Sequence, residues 1–202
     1  MHNFYKDSKY RFDFGDIFGP VPAYKHSNGG GWVADTATVA DTAYVGPDAK
    51  VYGNAKVYGN SKIYGNAKIY GKSRIFGRAE IFDNAEASGN CLIYEEARVY
   101  GDARITGRAW ISGNVVIKSC AVVGGYANIY GDAVISKPFT SLVRSDGHTF
   151  IYVPCSDGKK RIISGWRYFT MEEAKTHWKE TRGETKLGIE TQNILKFLEN
   201  NA

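Results

Sequence analysis

The sequence predicts a mainly β protein: a parallel β-solenoid of very short strands, followed by a small α+β appendage. Three observations carry that expectation. A branched aliphatic residue recurs at every sixth position from Val33 to Ile135, a small residue stands two positions before most of them, and glycine followed by Asn or Asp punctuates the units. Composition agrees, because 23 glycines against 5 prolines suit many regular turns and not a collagen-like or low-complexity chain.

The aliphatic series runs Val33, Val39, Val45, Val51, Val57, Ile63, Ile69, Ile75, Ile81, Ala87, Ile93, Val99, Ile105, Ile111, Ile117, Val123, Ile129 and Ile135, and Ala87 is its one departure. No insertion breaks the count. Ala, Ser or Cys precedes by two positions, from Ala37 through Ser61 and Cys91 to Ala109. Residues two apart on a strand share a face, so both point inward, while Lys56 and Tyr58, flanking Val57, point outward. Gly53-Asn54, Gly59-Asn60, Gly65-Asn66 and Gly101-Asp102 are residues that tolerate the left-handed backbone of a sharp corner. Each hexapeptide is thus one strand and one corner, and repeats of this kind stack into a continuous core.

Three segments follow. Residues 1–30 carry Gly19-Pro20, Pro22 and the aromatics Tyr5, Tyr10, Phe12, Phe14 and Phe18, and are expected to cap the open end of the solenoid, where strand edges would otherwise be unpaired. Residues 31–136 form the repeat. In residues 137–202, Thr149–Val153 and Arg161–Ser164 read as strands joined through Asp157-Gly158. Thr170-Met171-Glu172-Glu173 is a capping box opening a helix through about Trp178, and Leu187, Ile194, Leu195 and Leu198 support a second helix. This appendage is expected to be the second cap or an oligomerisation element.

The run VYGNAKVYGNSKIYGNAKIYG resembles the hexapeptide-repeat proteins that form left-handed parallel β-helices, and is particularly similar to the tyrosine-rich YGNA/YGDA type carried by phages and prophages. The resemblance covers residues 31–136. It implies three hexapeptides per triangular coil, hence six coils and a prism about 29 Å tall at ~4.8 Å per strand. It also implies left-handed coiling, against the usual crossover rule, which the period alone does not carry.

The best-studied members of the broader family are acyltransferases in which histidine acts as a general base, since proton abstraction needs a pKa near neutrality. The histidines here are His2, His26, His148 and His177. None lies within the coils, and the unbroken count leaves no inserted loop as a substrate wall. An acetyl-CoA-dependent acyltransferase with an atypical base, His148 or His177 reaching a neighbouring groove, is therefore the alternative reading. The family's carbonic-anhydrase branch needs three histidines on zinc and is excluded. Ice binding needs Thr-x-Thr ladders, and only Thr36-Ala37-Thr38 fits. Cys91 and Cys120 read as inert packing thiols. With Cys155 the three cysteines form neither metal-ligand nor disulfide spacing.

At an 18-residue coil, outward residues stack in three faces. Face one carries Lys50/Tyr52, Lys68/Tyr70, Glu86/Ser88 and Arg104/Thr106. Face three carries Lys62/Tyr64, Glu80/Phe82 and Arg98/Tyr100. In both, a glutamate sits between cations, an ordinary solvated ladder. Face two stacks Lys56/Tyr58, Arg74/Phe76, Leu92/Tyr94, Trp110/Ser112 and Asn128/Tyr130, with no acid. Such a row exceeds the apolar patch a soluble monomer normally exposes. Lys56, Tyr58, Arg74, Phe76, Tyr94, Trp110 and Tyr130 are accordingly the candidate ligand-binding or interface residues. Aromatics there can stack on a base or sugar while the cations meet phosphate. Lys159, Lys160 and Arg161 are secondary anion candidates.

The net charge of +5 and pI near 9.0 permit an anionic partner without demanding one, and a dedicated nucleic-acid binder usually concentrates its charge more. Met1-His2-Asn3-Phe4-Tyr5-Lys6 lacks an apolar leader region, and no run of roughly 18 apolar residues exists. The expectation is a non-catalytic binding or assembly protein of the cytoplasm, a bacterial host's by the resemblance. It is expected to be a homotrimer, as such β-helices commonly are. Its partner is expected to be an anionic ligand, nucleotide-like ones included, or a host protein. No membrane contact and no cofactor are expected.

Overall fold

A computed structural model describes residues 10–137, 139 and 141–201 of the chain; His2, Tyr5 and the rest of the N-terminal Met1–Lys6 stretch lie outside them. The repeat folds as expected into a β-solenoid of about six turns. Its strands run from Trp32–Ala34 to Val134–Ile135 and stack in three parallel sheets. Each strand pairs with the one 18 residues away: Arg74 lies beside Lys56 on one side and Leu92 on the other. The aliphatic series forms one continuous core, with Val33, Ile63, Ile93, Ile111 and Ile129 all fully buried. Ala87, the exception in sequence, occupies the same inward slot.

The corners are made mainly by glycine, with Asp83, Glu95 and Ser119 taking the same positive φ in its place. Gly53, Gly71, Gly89 and Gly107 have φ near +70° (66°, 71°, 75° and 66°), whereas Asn and Asp one position later do not share that conformation. Those amides and carboxylates do something else: Asn66 donates to Asn84, and Asn84 to Asp102, as a ladder down one corner. At two positions where the glycine slot is filled otherwise, the side chain binds the next coil. Asp83 accepts from the Gly101 N–H at 3.1 Å, and Glu95 from the Gly113 N–H at 2.6 Å.

Both ends are covered. Strands β1 (Tyr10–Phe12) and β2 (Val21–Lys25) extend face one antiparallel to β3 (Trp32–Ala34). Phe14 stacks on Tyr52, which stacks on Tyr70, so the cap continues the aromatic ladder of the coils. The adjoining turn closes face three's first strand, with Val45 N–H donating to Asn28 O and Gly31 N–H to Val45 O.

After the last coil strand the chain builds an antiparallel four-stranded sheet, β21 (Ser141–Val143), β22 (Thr149–Pro154), β23 (Lys160–Ser164) and β24 (Arg167–Phe169), the coil strands being β3 to β20. The two flanking strands β21 and β24 were not legible as strands. Helices α1 (Met171–Arg182) and α2 (Lys186–Asn200) follow. Thr170 caps α1 as expected, its hydroxyl accepting from Glu173 N–H while Glu173 accepts from Thr170 N–H at 2.8 Å, and the helix runs a turn beyond Trp178.

Alternation on β22 and β23 explains the sheet's position. Phe150 and Ile162 face the helices, against Trp178 and Leu195. Ile151, Val153 and Ile163 face the other way and join the solenoid core at Ile135. A strand buried on both faces reads as the continuous apolar run Phe150–Val153.

The corner glycines make a test. An alanine Cβ at Gly89 would stand 2.7 Å from the Gly107 carbonyl oxygen, whereas at Gly158, also at positive φ, nothing lies within 4 Å. Gly158→Ala should cost about 1–2 kcal/mol of backbone strain, and Gly89→Ala roughly 1–3 kcal/mol more from overpacking. Urea denaturation of both variants checks this; equal losses would contradict the close stacking of corners.

Candidate functional site

Face two is built by the strands Thr38–Val39, Lys56–Val57, Arg74–Ile75, Leu92–Ile93, Trp110–Ile111 and Asn128–Ile129. The inward aliphatics anchor each rung, so outward neighbours stand in register: Lys56 beside Arg74, Arg74 beside Leu92, Leu92 beside Trp110, and Trp110 beside Asn128. The second column holds Tyr58, Phe76 and Tyr94. Phe76 and Tyr94 stack at 4.9 Å and 11°, and both are half-buried. Trp110 is 52 % exposed, and no described ring stacks on it.

Each of the other faces carries a glutamate paired with cations of its own column. Glu80 on face three is 3.0 Å from Lys62 and 3.4 Å from Arg98, and Glu86 on face one is 3.5 Å from Lys68. A groove of about 580 Å³ runs where face two turns into face three. Its charges are paired too, Arg78 with Glu96 at 3.1 Å. Among the described residues, no ion pair engages Lys56 or Arg74.

The corner leading into face two extends this pattern. Stacking at the same interval places Asn54, Lys72, Asn90, Arg108 and Tyr126 in one column, with Asn54 N–H donating to Gly71 O and Asn90 N–H to Gly107 O between coils. Lys72 and Arg108 likewise take no described ion pair. The guanidinium of Arg108 lies 5.6 Å from the centre of the Tyr126 ring, which is 74 % exposed. Four cations and several exposed rings therefore share a strip without a carboxylate. Sequence reading missed Lys72, Arg108 and Tyr126 because the 18-residue stack was applied to strand positions and not to corners; the same count would have found them.

Other expected positions fall differently. Tyr130 does not belong to the open row. Its ring lies 5.9 Å from that of Tyr168, it is half-buried against the core, and its hydroxyl is enclosed without a partner, because the C-terminal sheet covers the last rung of face two. Arg161 is bound to Asp157 at 2.6 Å and Lys160 stands over Tyr152, so the Lys159–Lys160–Arg161 cluster is only partly free for an anion. Cys91 is fully buried and its thiol is pushed up to about 12 by that burial, as a packing residue should be. Cys120 is exposed at a corner and is not a packing residue.

At the upper end of face two, the sheet meets the coils over a cleft of about 340 Å³. Tyr126, Asn128, His148 and Thr149 line it, with Ile151 and Ile163 as its apolar side. Asn128 Nδ2 donates to Gly165 O at 3.2 Å across the junction. The junction is fastened beside this cleft. Tyr168 donates its hydroxyl proton to Asp132, which also accepts from Ser156 Oγ at 2.9 Å, and Cys155 Sγ stands 2.8 Å from the Tyr168 oxygen. These bonds, the Tyr168 hydroxyl foremost, hold the Asp132 carboxyl below its usual range. Burial pushes the Tyr168 and Cys155 protons up, so both stay neutral.

A family model described as YdcK Beta solenoid repeat matches residues 97–113, close to one coil. Comparison with curated proteins and with solved structures finds no match. The chain is a β-solenoid repeat protein, and no helix among its described residues is long and apolar enough to cross a membrane.

A carboxylate whose folded pKa is depressed contributes stability above its unfolded value, and that contribution is lost as pH falls through the folded value. Tyr168→Phe should therefore cost about 1.5 kcal/mol at neutral pH, the lower end for a bond to a charged group because Asp132 is partly exposed. The gap from the native chain should close as pH falls below the usual carboxylate range of about 4. Urea unfolding across pH measures it; a gap that stays constant in acid would mean Asp132 is not the partner that matters.

Proposed function

We propose that this chain is a non-catalytic binding and assembly protein of the phage type, whose working surface is face two with its leading corner, and whose partner is an anionic ligand of nucleotide-like chemistry. The observation that supports this most is the grouping of Lys56, Lys72, Arg74 and Arg108, none of them in a described ion pair, on a strip without a carboxylate. The Lys62, Lys68 and Arg78 columns, by contrast, each contain a glutamate ion-paired with a cation of the column. Isolated surface cations cost nothing in water, but a one-signed strip beside low-dielectric walls concentrates anions. The exposed rings of Tyr58, Trp110 and Tyr126 provide flat apolar surface next to that charge, the combination used to hold bases and phosphates together.

Binding of this kind needs no general base and no bound metal. The protein acts in the cytoplasm of a bacterial host, where such a surface sequesters a small anion or engages a host factor carrying one. Assembly as a homotrimer places the apolar part of the row, Leu92 and Trp110, against a neighbouring copy and leaves the cations at the rim.

Acyl transfer is the second reading. His148 lines a cleft, and no described residue hydrogen-bonds either of its ring nitrogens, which leaves an imidazole free to act as base. Turnover of acetyl-CoA with a panel of amines and alcohols tests it, and turnover abolished by His148→Ala would displace the binding reading.

The charge strip is tested by calorimetric titration with sodium tripolyphosphate. Binding should weaken about tenfold or more between about 50 and about 200 mM salt. Lys72→Ala combined with Arg74→Ala should remove most of it while the melting temperature stays unchanged, since Lys72 and Arg74 are exposed. No tripolyphosphate binding at low salt would overturn the proposal. Native mass spectrometry reports the subunit count alongside, and a monomer at micromolar concentration would refute the trimer.

A further inference from the structure

We infer that the cleft between the last coils and the C-terminal sheet is the seat for the planar ring of a nucleotide, with Arg108 holding its phosphate. This rests on the reading of face two as an anion-binding strip and gives that strip an upper end. Four observations converge on it.

The first is size and lining. A space of about 340 Å³ is at the small end of ligand sites and suits a single heterocycle with its sugar. Its apolar side is Ile151 and Ile163, and Asn128, His148 and Thr149 supply polar groups.

The second is unspent hydrogen-bonding capacity. Asn128 uses its amide N–H on Gly165 O, which leaves its Oδ1 to accept. His148 keeps both ring nitrogens free of described partners. Burial, and then the Arg144 charge, hold the His148 pKa below its ordinary value. A neutral imidazole offers one donor and one acceptor, the pairing that a heterocycle edge requires. The carboxylate two residues earlier does not compete for the ligand, because Asp146 is gripped by Arg144 through Nε at 2.9 Å and Nη2 at 2.7 Å.

The third is a stacking surface next to a cation. Tyr126 lines the cleft, is largely exposed, and carries the Arg108 guanidinium over its ring at 5.6 Å. Arg108 belongs to the coil below, about 4.8 Å down the stack. A ring lying on Tyr126 therefore brings a phosphate attached to its sugar toward Arg108. Below Arg108 the column continues to Lys72, so a longer anion finds a second cation.

The fourth is steric. A Cβ at Gly165 would lie 3.0 Å from His148 Cε1. Glycine there, at φ 63°, keeps the backbone against the imidazole without displacing it from the cleft.

Four probes separate ring, charge and their combination: adenosine, sodium tripolyphosphate, ribose 5-phosphate and adenosine 5′-monophosphate, titrated into the full chain with amide chemical shifts as readout. The monophosphate should bind at least about tenfold more tightly than ribose 5-phosphate, and shifts should centre on Asn128, His148 and Gly165. Tyr126→Ala should abolish that preference and leave tripolyphosphate binding intact; Tyr126 is exposed enough that the fold survives. His148→Ala should do the same, and Arg108→Ala should weaken monophosphate and ribose phosphate alike.

Equal binding of the monophosphate and ribose 5-phosphate, with tripolyphosphate still bound, overturns the cleft and leaves the strip. Adenosine binding without either phosphate compound overturns the strip, and with it Arg108's role as the phosphate holder. Binding of none of the probes overturns both. A tetra-deoxyadenylate that binds more tightly than the monophosphate, with the same dependence on Tyr126, supports the seat and identifies a strand end as the source of the nucleotide.

Discussion

Each coil is fastened to the next by backbone hydrogen bonds that leave no freedom of register. Tyr58 N–H donates to Ile75 O, Phe76 N–H to Ile93 O, and Tyr94 N–H to Ile111 O, rung after rung. A slip of one residue would turn Val57 and Ile75 out of the core and Lys56 and Arg74 into it, so the buried column locks the exposed ones. Repetition inside thereby becomes repetition outside, and any residue type placed at one outward position faces its own column along the whole stack. The Lys62–Glu80–Arg98 ladder uses this to alternate charge. The strip through Lys56, Lys72, Arg74 and Arg108 uses it to accumulate charge.

A stack built this way has two raw ends, and each end adds a different local chemistry. At the first, Phe14 and Tyr52 prolong a ring ladder, and the cap seals face one. At the second, a sheet with two apolar faces is required, because one side must cover Ile135 and the other must hold the helices. Phe150 and Ile162 serve the helices, while Ile151, Val153 and Ile163 serve the coils. Since a flat sheet cannot follow a triangular prism all the way round, it covers Tyr130 and leaves a gap beside Asn128. The gap lies at the end of the strip that holds Lys56, Lys72, Arg74 and Arg108. Concave shape and positive charge thus meet for reasons that arise separately, one from capping and the other from columns.

Much of this was legible beforehand. Val33 through Ile135 announced the core, and counting by 18 correctly placed Lys56, Arg74, Leu92 and Trp110 on one face. The Thr170–Glu173 box and the Asp157-Gly158 turn were equally plain, because both are local hydrogen-bonding patterns. Asn and Asp at the corners misled slightly: their tolerance for left-handed backbone is real, yet the preceding glycine takes that conformation and frees the amides to form ladders. Lys72, Arg108 and Tyr126 were available to the same count and were missed only because corners were treated as punctuation.

The cover over Tyr130, the pairing of Asp132 with Tyr168 and the bond from Asn128 to Gly165 were of another kind. They join residues 36 to 38 positions apart, one partner in the repeat and the other outside it, and a small repeat of six gives no hint of where a non-repeating sheet will dock. Residue order alone sets periodic burial, register and the outward columns, because each is a short-range pattern copied along the chain. The docking of the C-terminal sheet, and so the cleft and the isolation of His148's nitrogens, comes from the packing of two dissimilar surfaces, which only exist once each has folded.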